Sequence, residues 1–83
     1  MIHLVTHRQG LFDCLSWISP GDRIVLMGSA VGGYWQCQSQ LPDGAILAVF
    51  SEDAALFALE TARCIEASDL ITWLEQTPCR TWS

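Results

Sequence analysis

Four cysteines and two histidines carry the reactive side chains of this sequence, and their spacing limits what they can do. Cys14, Cys37, Cys64 and Cys79 are widely separated and form no C-x-x-C pair; His3 and His7 sit near the start. These residues never fall at metal-ligand spacing, so no metal site is expected. An even cysteine count in a short chain reads as a disulfide framework only in a secreted setting. No basic segment, apolar run and small-residue cleavage site opens the sequence, so reduced thiols in the cytosol are the expectation.

Cys14 has the most suggestive company. A reactive thiol must be a thiolate, favoured by a nearby cation or a helix N-terminus, and His7 and Arg8 lie just upstream. Cys14 is therefore the candidate catalytic residue. The competing reading is a small buried hydrophobe, which free cysteine commonly is. At 100° per residue Cys14 falls at the edge of the face set by Leu11, Leu15 and Ile18. His3, inside an apolar run, reads as a packed histidine, and His7 as a surface or capping group. Other chemistries lack their motifs. There is no G-x-S-x-G elbow, no G-x-G-x-x-G after the first strand and, without any lysine, no phosphate-binding P-loop. Gly28, Gly32 and Gly33 read as a tight bend. No cofactor is expected.

The elements that would hold these groups alternate. Ile2 to Thr6 reads as a first strand. Leu11, Leu15 and Ile18 recur at helical spacing, and Pro20-Gly21-Asp22 turns the chain. Arg23 to Met27 predicts a second strand, and Ser29 to Gln38 a short or irregular helix. After the turn Leu41-Pro42-Asp43-Gly44, the apolar run Ala45 to Phe50 predicts a third strand. Ser51 reads as an N-cap with Glu52 and Asp53 suiting the helix dipole, and the helix continues through Ala58. Arg63 to Glu66 predicts a fourth strand. Ser68 reads as the cap of a last helix, Asp69 to Gln76, followed by a tail from Pro78 to Trp82. This order predicts one α/β domain over residues 1–83, three-layered, with a short, about four-stranded parallel sheet and right-handed connections. Strands apolar at every position fit a sheet covered on both faces.

The chain is 51% hydrophobic and only 16% charged. A domain of this size buries only about 60–65% of its unfolded surface, and many such domains compensate by oligomerising. The net charge is −5, and the only basic side chains besides histidine are Arg8, Arg23, Arg63 and Arg80. Without a basic stripe, direct nucleic-acid binding is not expected, nor is adhesion to a membrane. Trp17 points away from the predicted core face of its helix and Trp73 lies at the edge of its own. Large aromatics outside a core are enriched at interfaces.

Four stretches carry a resemblance to the DsrH/TusB family of the DsrE-like sulfur-relay superfamily. Met1-Ile2-His3-Leu4 with His7-Arg8 is similar to that family's opening strand and loop. Ser19-Pro20-Gly21-Asp22 leading into Arg23-Ile24-Val25-Leu26 resembles its "S-E-G-D" turn and strand. Ala48-Val49-Phe50-Ser51-Glu52-Asp53 resembles its third strand and "N-E-D". Asp69-Leu70-Ile71 through Thr81-Trp82 resembles its last helix and near-terminal tryptophan. The stretch Gly28 to Gly33 departs from the family by lacking an acidic-glycine pair. The resemblance implies a DsrE-like fold and a hetero-oligomer with TusC/DsrF-like and TusD/DsrE-like subunits. Such a complex passes persulfide sulfur from TusA-like towards TusE-like carriers, for 2-thiolation of tRNA wobble uridine, or serves sulfur oxidation. It also makes Cys14 a candidate persulfide carrier, although many TusB-type members lack that cysteine and the TusD/DsrE-type subunit holds the main one. The alternative is a small-molecule or nucleotide-binding flavodoxin-like module.

Overall fold

Three apolar runs become the middle of a sheet because each is buried on both sides. In a computed structural model that describes all 83 residues, they are β1 (Ile2–Val5), β2 (Arg23–Leu26) and β3 (Ile46–Phe50). Two shorter strands, β4 (Arg63–Ile65) and β5 (Cys79–Trp82), complete it. All five strands are parallel, in the order β4-β3-β2-β1-β5. The helices are α1 (Arg8–Leu15), α2 (Tyr34–Ser39), α3 (Ser51–Leu56) and α4 (Ala67–Gln76), and a 3-10 turn, Gly28–Gly33, runs directly into α2.

The layering follows from handedness. The chain steps from β1 to β4 in one direction, so right-handed connections keep α1, the 3-10 turn, α2 and α3 on one face. The step from β4 to β5 reverses direction and sends α4 to the other. Alternate strand residues serve the two sides. Val5, Ile24, Leu26, Leu47 and Val49 join Leu11, Cys14, Val31 and Tyr34 in the main core. Val25, Ala48 and Ile65 meet half-buried Leu70 and Trp73 of α4 in a smaller cluster. The α/β sandwich expected from the sequence is thus observed. No helix is long and apolar enough to cross a membrane.

Four details differ from the sequence reading. The tail is a fifth strand: Cys79–Trp82 pairs residue for residue with Ile2–Val5. The segment after β2 divides into the 3-10 turn and α2 rather than forming one irregular helix. Ser51 is the first helical residue rather than the cap, a position held by Phe50, and its hydroxyl donates to Glu66 Oε1 at 2.6 Å. Glu66, not Ser68, caps α4: its side chain accepts from the backbone of Asp69, and Asp69 Oδ2 accepts from the Glu66 amide at 2.8 Å. A reciprocal acidic box satisfies two backbone donors, which a serine at position 68 cannot do from inside the helix.

Candidate functional site

Cys14 lies on the inward face of α1, fully buried among Leu11, Val31, Tyr34 and Cys37. Burial pushes its thiol up to about 12, helped by Cys37 and Asp22 and opposed by Arg80. At neutral pH a thiol so displaced stays protonated. His7 and Arg8 do not relieve this. They sit at the opposite end of α1, seven and six residues or about 9–10.5 Å of helix rise away. The Thr6 hydroxyl lies 3.1 Å from His7 Nδ1, and the Arg8 amide donates to Ser29 Oγ at 3.2 Å. Cys37 is also buried, and burial raises its thiol to about 11. The exposed thiols are Cys64 and Cys79, one on each outer strand. Partial burial raises that of Cys79, with the Leu4 backbone opposing. All four are free, and no three His, Cys, Asp or Glu side chains gather as a metal site.

His3 is the best-connected polar group. The Trp82 indole N–H donates to His3 Nδ1 at 3.1 Å. Nδ1 must then be the unprotonated nitrogen, which leaves the proton on Nε2, 2.8 Å from Asp22 Oδ2,. Asp22 Oδ2 also accepts the Ser19 amide at 2.9 Å, and Oδ1 accepts the Met1 amino group at 3.1 Å. Burial alone would raise the Asp22 carboxyl, but Ser19, His3 and the amino group outweigh it and hold it down at about 2. This chain of bonds ties β1, β2 and β5 together. Both imidazole nitrogens are occupied and the ring is buried, so it is a strut rather than a catalytic base. The sequence placed Asp22 only in a turn. A histidine inside an apolar strand that must find a buried partner was the available signal.

The tryptophans divide. Trp17 is 62% exposed, with the Arg80 guanidinium 5.4 Å from its ring centroid and 4.2 Å from that of Trp82. Trp35 is also exposed and meets Tyr34 edge-on at 5.0 Å. Trp73 is half-buried beneath Arg23, whose guanidinium carbon stands 4.8 Å from the ring centroid. Trp82 is buried. None of the four arginines is ion-paired; the ion pair of the molecule joins the Met1 amino group to Asp22.

Two concavities mark the surface, and Cys14 lines neither. A shallow groove of about 440 Å³ follows α3 past Cys64. A cleft of about 220 Å³ opens beside the start of β3. No protein-family model, curated protein or solved structure matches the chain.

Proposed function

We propose that this chain is a cytosolic docking subunit of a hetero-oligomeric sulfur-relay complex, of the TusBCD/DsrEFH kind. The observation that carries the reading is the apolar surface. Leu56 is 78% exposed, Trp17, Trp35 and Ile71 also stand largely in water, and Phe12 is about half exposed. Aromatic side chains placed this way are the anchors of protein interfaces. The four stretches that resemble DsrH/TusB supply the kind of partner, TusC/DsrF-like and TusD/DsrE-like subunits.

In a sulfur relay a thiolate attacks the outer sulfur of a persulfide. The S–S bond breaks and the donor thiolate leaves, with no net redox change. The acceptor must be ionised and reachable. Cys14, buried and protonated, is neither in this conformation, so the subunit supports transfer between cysteines of its partners. The relay takes sulfur from a TusA-like donor to a TusE-like acceptor, for wobble-uridine 2-thiolation or sulfur oxidation.

Co-expression with both subunit types tests this. A stoichiometric complex that survives gel filtration and sulfide-free washing is expected. Recovery of the chain as a stable monomer, in the presence of both partners assembled with each other, overturns it.

A further inference from the structure

The cleft beside β3 is a built site. The strand β4 begins only opposite Ala48, so the preceding part of β3 has no neighbour on that side. The Ile46 amide donates to Asp22 O, towards β2, at 2.9 Å. By strand alternation the amide of Leu47 faces the gap instead. Tyr34, Gln38, Thr61 and Arg63 border this notch together with Leu41 and Leu47.

The polar groups there share one character. Tyr34 is only 5% exposed, yet its hydroxyl has no hydrogen-bond partner in the protein. The one side-chain nitrogen or oxygen sealed from solvent without a partner is Arg23 Nη1; the Tyr34 hydroxyl therefore keeps access to solvent, and its residue lines the cleft. Arg63 has no carboxylate within ion-pair distance. The nearest acids in sequence, Asp43 and Glu60, do not line the cleft. In a chain of net charge −5, a concavity with a guanidinium, two hydroxyls, an amide side chain and no acid selects an anion. At about 220 Å³ it is smaller than the roughly 300–1,000 Å³ of drug-sized sites, so the anion must be small.

We propose that the notch binds a small monocarboxylate, its carboxylate held by Arg63, Thr61 and Tyr34. A guanidinium and neutral donors bind a carboxylate through charge-assisted hydrogen bonds. A neutral isostere of the same shape forgoes the charge on those bonds. This binding is independent of the sulfur-relay reading and is read on the isolated chain.

Titration of the ¹⁵N-labelled chain with sodium benzoate, against benzamide at matched ionic strength, is the test. Saturable shifts are expected at the Leu47, Thr61 and Arg63 amides, with benzamide at least about tenfold weaker. Arg63→Gln weakens benzoate by a similar factor. Tyr34→Phe, which keeps the buried ring, weakens it several-fold without altering the thermal midpoint. Equal binding of benzamide, shifts that map outside the notch, or an Arg63→Gln protein that folds and binds benzoate unchanged each overturn the proposal. The benzamide comparison needs no variant, so it decides the matter even if a substitution unfolds the chain.

Discussion

Asp22 carries a negative charge into a nearly closed position, where His3 Nε2–H, the Ser19 amide and the Met1 amino group all donate to it. Those bonds hold its carboxyl near 2 instead of 3.8. The folded pKa is the depressed one, so the contribution is complete above about pH 3.8. It drains away as pH falls towards 2, because the unfolded chain takes up the proton first. Discounted for screening at the sheet margin, it amounts to about 1–2 kcal/mol. Asp22→Asn should lower the urea midpoint at neutral pH, and the gap from the parent should close between pH 4 and 2. A gap that stays constant down to pH 2 would show that the bonds do not depend on the charge. The partners explain why this group was hidden from sequence: they lie 19 residues apart for His3 and Asp22, and 79 for His3 and Trp82. No local pattern reports a contact of that span. Cys14, by contrast, was legible to the extent that its helical phase put it at the edge of a core face, and the thiol's environment followed from that burial.

The elements read most clearly from sequence are β1, β2 and β3, whose continuous apolar runs reflect burial from both sides. The strand β5 gave no such signal. Of Cys79, Arg80, Thr81 and Trp82 only the last is buried, and what makes the segment a strand is the free edge of β1. Its position is fixed from above as well. A Cβ on Gly10 of α1 would stand 2.9 Å from Ser83 N and from Trp82 C, both backbone atoms. Gly10→Ala adds about 1 kcal/mol of helix propensity, but the helix and the strand cannot both keep their places. Overpacking of this kind costs about 1–3 kcal/mol. The net expectation is a lower thermal midpoint, with faster hydrogen exchange at the Thr6 amide, which bonds Trp82 O at 3.0 Å. An alanine variant as stable as the parent would mean that β5 yields at no cost. The cleft beside β3 was illegible for a related reason: its walls come from α2, from the start of β3 and from the approach to β4, segments joined only by the fold.

At the scale of the molecule the two faces of the sheet are unequally covered. Three helices and a 3-10 turn close the first, whereas α4 alone lies over the second and has no fully buried residue. Its Leu70 and Trp73 pack against the sheet, while Ile71 and Leu74 face outward. The low charge of the sequence pointed to an oligomer, but composition cannot say which surface is spare; that needed the direction reversal between β4 and β5, which leaves one helix to cover a whole face. If Ile71 and Leu74 serve association and not folding, their replacement should separate the two. Ile71→Lys with Leu74→Lys removes exposed apolar surface and touches no core contact, so stability should change by no more than about 0.5 kcal/mol. Association should fall sharply: in sedimentation the double variant should run as a monomer at concentrations where the parent, without partners to cover it, self-associates. In co-expression the same substitutions should loosen the hetero-oligomer. A double variant that unfolds would assign these two side chains to the core of α4 packing instead. One that folds and associates like the parent would move the interface to the opposite side, where Trp17 and Trp35 are exposed.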